Sequence, residues 1–289
     1  MMLLIVILAI AVILLIYAII ETGLLKTVSY DIETPGIPDS INGKRIVFLS
    51  DLHCTRFGRH NRRLTDMIAK AAPSMIIIGG DVVNGRSNEH FEYAEELFTA
   101  LARLNVPVYY SFGNHEYRLI HNHGKKSTFR SYYNLSKQYC NLLNNDSVKL
   151  GKGDKAARIF GLALPLEQFK KKVSEGLINP VSDYLGTAQP SDYNILIAHD
   201  PSYYKDYLEW GADLILSGHL HGGIIRLPFF GGLISPRYSL FPKPDKGLYR
   251  YEGDKTMVIS GGIGWHGLPL RFLNRPEIIV LNMRRTSGS

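Results

Sequence analysis

From residue 3 the chain reads Leu-Leu-Ile-Val-Ile-Leu-Ala-Ile-Ala-Val-Ile-Leu-Leu-Ile-Tyr-Ala-Ile-Ile, eighteen positions without a charge. No polar face recurs along it, which argues against a surface helix or a buried helix of a soluble fold. With Met1 and Met2 it would extend about 30 Å as a helix, the thickness of a bilayer's hydrocarbon core. A cleaved signal peptide needs a basic lead and small residues at the cleavage point. No Lys or Arg precedes Leu3, and Ala18-Ile-Ile-Glu-Thr is a poor cleavage site. Residues 1–21 are therefore expected to form an uncleaved transmembrane anchor, followed over 22–43 by a membrane-proximal linker and a first strand.

The pattern then changes. Val28, Tyr30 and Ile32 alternate with polar residues, as in a half-buried strand, and Pro35-Gly-Ile-Pro38 ends it. Short apolar runs follow at Arg45–Leu49, Ser74–Ile78, Val106–Tyr110, Asn194–Ala198 and Leu214–Leu216. Between several of them lie helical spacings: Leu64, Ile68 and Ala71 on one face, and Phe91, Ala94, Leu97, Phe98 and Leu101 on another. Lys149–Leu164 reads as a strand pair, and further strands are expected at Leu248–Tyr251, Met257–Ser260 and Ile278–Leu281. Buried strands separated by helices predict an α/β sandwich with mixed sheets in one domain over 44–283. Residues 284–289 are expected to be a flexible, solvated tail.

Composition narrows this picture only slightly. The 289 residues are 45% hydrophobic and 20% charged, as in an ordinary globular protein. The net charge of +7 suits an anionic lipid surface or a phosphorylated substrate and gives no reason to expect nucleic acid. Lys26, Lys44, Arg45, Arg56 and Arg59 all follow the anchor, so the positive-inside rule puts the body in the cytoplasm. Two cysteines, Cys54 and Cys140, make no disulfide framework. Oligomeric state is not legible.

The chemistry sits where the apolar runs stop. Asp51 and His53, Asp81, Asn114 and His115, His199, and His219 and His221 each follow one of five runs. Ligand sites of α/β sheets form at the carboxyl ends of strands. Asp51 and His53 are two apart, as are His219 and His221, which in extended chain points each pair the same way. Three carboxylate or amide oxygens and four imidazoles are enough for two cations, with one histidine left over. Mixed nitrogen and oxygen donors favour Mn, Fe or Zn over Mg or Ca, with Mn the first expectation.

The motifs D-L-H at 51–53, G-D at 80–81, G-N-H-E at 113–116, His199 and G-H-L-H at 218–221 resemble, in this order, the calcineurin-like metallophosphoesterases. The likeness extends over nearly all the chain after the anchor. It is nearest to membrane-associated bacterial members, the YkuE type and the UDP-2,3-diacylglucosamine pyrophosphatases. It implies a four-layer αββα sandwich and two divalent metal ions. One metal would take Asp51, His53, Asp81 and His221, and the other Asp81, Asn114, His199 and His219. A shared water of lowered pKa would attack phosphorus in line, and His115 would protonate the leaving group.

The remaining histidines and the apolar segment after the last ligands are weaker candidates. His121 and His123 lie in a polar stretch expected to be a solvated loop, and His60 and His90 are expected at the surface. His266, in a glycine-rich loop, is a candidate for lining the site. Cys54 is expected to be a small buried hydrophobe. Phe229 and Phe230 begin a segment reaching Phe241 that would form an apolar lip for a lipid tail. The expected activity is hydrolysis of a phosphodiester or pyrophosphate bond in a lipid-linked substrate. A nucleotide or generic phosphodiesterase, and a non-catalytic metal-binding membrane scaffold, are the alternatives.

Overall fold

The computed structural model describes the chain apart from residues 87–90, 124–125, 154, 171–175, 224–225, 228–230, 233–243, 266–268 and 288–289. In chain order its elements are α1 (Met2–Glu21), β1 (Lys26–Glu33), β2 (Arg45–Leu49), α2 (Arg62–Lys70), β3 (Met75–Ile78), α3 (Glu92–Ala102), β4 (Val108–Tyr110), α4 (Asn114–His123) and α5 (Lys126–Tyr139). These are followed by β5 (Asn141–Leu142), β6 (Asp146–Leu150), β7 (Ala157–Leu162), α6 (Leu166–Lys170), α7 (Val181–Leu185), β8 (Tyr193–Ala198), α8 (Tyr204–Trp210) and β9 (Leu214–Ser217). Last come β10 (Arg226–Leu227), β11 (Gly231–Gly232), β12 (Gly247–Arg250), β13 (Thr256–Ile259) and β14 (Glu277–Arg284).

Among the described residues the strands form two six-stranded sheets, β1-β14-β2-β3-β4-β5 and β12-β13-β9-β8-β7-β6, with β10 and β11 as a small separate ribbon. Both sheets are mixed: β2, β3, β4 and β5 run parallel while β14 pairs antiparallel to β2. In the second sheet β7, β8, β9 and β13 run parallel, with antiparallel β6 and β12 at the edges.

Alternation within each strand builds the layers. In β2, Ile46 and Phe48 join Ile159, Ile195, Leu214 and Val258 of the other sheet in a core between the two sheets. Val47 and Leu49 face the opposite way, onto Leu64 and Ile68 of α2 and Leu97 and Phe98 of α3. Beyond the second sheet, Phe160, Leu196 and Ile215 pack against Val181 of α7 and Tyr207 of α8. The result is helix, sheet, sheet, helix, as expected. The i, i+4 pair Leu64 and Ile68 holds α2, and the spacing of Ala94, Leu97, Phe98 and Leu101 holds α3, where Glu92 and Glu95 also suit the helix dipole.

Two sequence expectations need correction. His121 and His123 are not in a loop: α4 runs to His123, because Leu119 on its inner face joins the core. The chain also stays attached past residue 284. Arg284 is the last residue of β14, the Arg285 guanidinium pairs with Asp39 at 2.6 Å, and the Thr286 N–H donates to the Thr34 carbonyl. His60 is exposed beside Glu96, as expected. α1 is long and apolar enough to cross a membrane, and almost none of it is buried.

Candidate metal centre

The carboxyl ends of β2, β3 and β4 are neighbours in one sheet, and those of β8 and β9 are neighbours in the other. The site thus forms where the ends of two facing sheets meet, not along the edge of a single open one. Asp51, His53, Asp81, Asn114, His115, His199, His219 and His221 are all buried there.

Strand alternation does not aim these side chains. β2 ends at Leu49 and β9 at Ser217, and the ligand-type residues lie in turns beyond them. Asp51, His53, Asp81, His219 and His221 all have left-handed backbones, with φ of 54°, 46°, 54°, 67° and 52°. Asp and His tolerate this region better than most residues, yet each such conformation still costs on the order of 1–3 kcal/mol where the surroundings impose it. Because the turns reverse the chain, His219 and His221 diverge. His221 approaches Asp51 at 3.4 Å, while His219 groups with Asp81 and His199. The expectation that His219 and His221 point one way is therefore overturned, whereas Asp51 and His53 do fall in one donor group. Two glycines make the convergence possible: a Cβ at Gly218 would collide with Ser50 Oγ and Asp51 Oδ2, and one at Gly80 (φ 96°) would meet the Gly113 backbone and His199.

Donor atoms collect in three overlapping groups, each within 4.8 Å: Asp51, His53 and His221; His53, Asp81 and His115; and Asp81, His199 and His219. Asp81 Oδ2 is 3.0 Å from His199 Nε2, 3.8 Å from His53 Nε2 and 3.9 Å from His115 Nε2. His53 Nε2 and His221 Nε2 face each other at 3.1 Å. The Nδ1–H of His199 donates to the Gly79 carbonyl at 2.6 Å, which turns Nε2 toward the carboxylates. His115 is held alike, its Nδ1–H donating to the Asn84 carbonyl at 2.6 Å. Backbone carbonyls behind ring nitrogens are the usual support of metal-binding histidines.

A cation suits this arrangement. Asn114 Oδ1 is buried and accepts no hydrogen bond from any described residue, and leaving such an oxygen without a partner costs about 1–3 kcal/mol. Imidazole nitrogens, carboxylates and an amide oxygen are together a donor set for first-row divalent ions. The charge balance agrees. Burial favours neutral His199, but Asp81 and Asp51 outweigh it and raise its pKa to about 10. Against the same burial penalty, His199, His115 and His53 hold Asp81 well below the usual carboxylate range. Burial pushes Asp51 up to about 6. A cation bound at His199 Nε2 would displace its proton, so loading weakens as pH falls.

The profile of calcineurin-like phosphoesterases matches residues 44–223, more than half of the chain. The chain belongs to this family. It is 26% identical to the Bacillus subtilis metallophosphoesterase YkuE over 280 residues, covering 93% of this chain and 88% of that one. It is 30% identical to the Campylobacter jejuni metallophosphoesterase Cj0846, covering 93% of this chain and 67% of that one. A Danio rerio transmembrane protein with a metallophosphoesterase domain is 28% identical, covering 90% of this chain and 57% of that protein. Among solved structures, a dimetal phosphatase from Danio rerio matches with a TM-score of 0.45 and 10% identity, covering 83% of this chain and 99% of that one. As a calcineurin-like phosphoesterase, the protein is a metal-dependent phosphoester hydrolase, and its Asp and His clusters point to divalent metal ions.

Several residues of this phosphoesterase site escaped the sequence reading. Glu116, within the G-N-H-E motif, is fully buried and accepts hydrogen bonds from the N–H groups of Asp81, Val82 and Gly113 and from the Tyr110 hydroxyl. Burial and the charge of Asp81 push its carboxyl up to about 7. Phe169 of α6 packs against the His219 and His199 rings at 5.3 and 6.4 Å. Cys54 is half-buried against the core behind β2. Phe229, Phe230, Phe241 and His266 lie outside the described residues, as does His90.

Proposed function

We propose that the protein is a membrane-anchored hydrolase of phosphodiester or pyrophosphate bonds in a lipid-linked substrate, working with two divalent cations, Mn first among them. The observation that carries the two-cation reading is that Asp81 Oδ2 lies between two sets of donors, 3.0 Å from His199 Nε2 in one and 3.8 Å from His53 Nε2 in the other. In this reading Asp51, His53, Asp81 and His221 hold one cation, Asp81, Asn114, His199 and His219 hold the other, and Asp81 is shared. Bound there, the cations supply Lewis acidity toward phosphoryl oxygens and activate water.

The chain's own residues do the rest. His115 is buried at the Asp81 end of the cluster, with Nδ1 tied to the Asn84 carbonyl. When protonated, its ring offers Nε2–H to the leaving oxygen and loses that proton as the P–O bond breaks. Phe169 limits water access on the His199 and His219 side. The exposed apolar α1 supports a membrane location and, with it, a lipid-linked substrate. Lys26, Arg63 and Arg275 at its exit support the cytoplasmic face.

The test is turnover of the Mn-loaded protein on lipid phosphodiesters, lipid pyrophosphates and nucleotides. The His115→Ala variant should keep its metal and lose about 10²–10⁴-fold in rate, the range of a positioned general acid. Wild-type rates in that variant on a substrate with a poor leaving group would refute the role of His115. A preference for nucleotides over every lipid would refute the substrate class.

A further inference from the structure

α1 does not leave the body as a free tether. The Arg271 N–H donates to the Ala18 carbonyl at 3.1 Å, and the Tyr17 and Phe272 rings meet edge to face with centroids 5.5 Å apart. The Arg271 guanidinium in turn donates to the carbonyls of Gly262 and Gly264, and the Gly264 N–H donates to the Asp51 carbonyl at 2.6 Å. The last turn of the apolar helix is thereby connected through Arg271 to the loop that touches Asp51.

The surface around this exit has its own character. Among the described residues after α1, the exposed large apolar side chains are Leu24, Ile178 and Leu273. Leu24 follows α1 by three residues, and Leu273 adjoins Phe272. Leu273 has a left-handed backbone, φ 53°, which is costly for leucine and here displays an apolar side chain to solvent. Arg63 and Arg275, both exposed, donate to the carbonyls of Gly23 and Leu24 and so stand beside these leucines. Apolar side chains fringed by arginines at the end of an apolar helix match the headgroup layer of an anionic bilayer.

We propose that Leu24, Arg63, Phe272, Leu273 and Arg275 form a docking surface that seats the body on an anionic bilayer. The leucines enter the interfacial layer and the arginines meet lipid phosphates. The metal centre, linked to the same loop, is held close to the headgroups and takes its substrate from them. This inference rests on the reading of α1 as a membrane anchor.

The test uses the full chain with Cys54→Ala and Cys140→Ala, in vesicles of phosphatidylcholine and phosphatidylglycerol that carry nitroxide lipids. A fluorophore is placed at Ile10→Cys, Leu273→Cys or Asp39→Cys. Asp39 lies beyond the far end of β1, roughly 25 Å along the strand from the helix exit. Strong lipid quenching is expected at positions 10 and 273 and little at 39. Quenching at 10 without quenching at 273 overturns the docking and leaves the anchor standing. No quenching at 10 overturns the anchor and the docking together. In the otherwise unaltered chain, Leu273→Glu should lower turnover of a vesicle-borne phosphodiester about tenfold, the scale of withdrawing one apolar side chain from the interface. Its rate on a small soluble phosphodiester should be unchanged. Equal rates on the vesicle substrate would refute the link between docking and catalysis.

Discussion

On the side of the first sheet, the turns after β3 and β4 hang from one buried acid, Glu116, which gathers N–H groups. On the side of the second sheet, the loops after β9 and β13 hang from two buried donors that gather carbonyls. Asn274 donates to the His221 and Gly223 carbonyls at 2.6 and 2.7 Å, and Arg271 to those of Gly261, Gly262 and Gly264. The turns at Asp81 and Gly113 run into new segments, one of them the start of α4, and leave N–H groups inward. The loops at 221–223 and 261–264 turn carbonyls inward to Asn274 and Arg271, and the Gly261 N–H donates to a second buried acid, Glu277. Left-handed turns do not pair these groups by themselves, and buried backbone groups must be paired. Glu116 is thus the main acceptor on one side and Asn274 and Arg271 the main donors on the other, and Arg271 places a positive charge near Asp51.

Breaking the acid should have the largest effect. Glu116→Ala leaves four buried N–H groups, those of Asp81, Val82, Val83 and Gly113, without this acceptor, so thermal or urea unfolding should show a loss of about 3–5 kcal/mol. A loss below about 1 kcal/mol would mean that the turns stand without it. Asn274→Ala should cost less, about 1–3 kcal/mol, because carbonyls tolerate under-satisfaction better than N–H groups. It should also weaken the cation proposed at His221 by about 10–100-fold while sparing the one proposed at His199 and His219, as loss of a support behind a ligand does. Metal titration followed by calorimetry would separate the two, and equal weakening of both would erase the distinction between the halves.

The smallest effect near neutral pH concerns Lys246, whose ammonium bonds Asn274 Oδ1 at 3.1 Å and pairs with Glu277 at 2.7 Å. Burial pushes its pKa down to about 8, against the pull of Glu277. The unfolded chain then binds more protons than the folded one from about pH 8 to 10.5, so stability gains an increment as pH rises through that window. Urea denaturation across the window should show the increment in the native protein and not in Lys246→Met. Identical slopes would remove the burial effect.

The residues proposed as ligands were legible because they cluster after apolar runs: Asp51, Asp81, His199 and His219 stand within three residues of a strand end, and His53, Asn114 and His221 within four. Their aim was not legible. Asp and His in left-handed turns look the same in a sequence as Asp and His in extended chain, so His219 and His221 were given a common direction they do not have. α5 was missed although Phe129, Tyr132, Tyr133 and Ser136 carry a helical spacing, because polar neighbours diluted it; Tyr132 and Ser136 are fully buried. Arg271 and Asn274 left no local signature. They act on backbone carbonyls about 10 to 50 residues away, and nothing about an isolated Arg or Asn reveals such a partner.

The proposed two-cation centre is tested most directly by the number of metal ions bound where the two sheets meet. Elemental analysis of the chelator-stripped, Mn-reloaded protein should approach two metals per chain, and Asp81→Ala should reduce both, because in the proposed centre that carboxylate is shared. A stoichiometry that stays at or below one under saturating Mn, or an Asp81→Ala protein that still holds two, would contradict it.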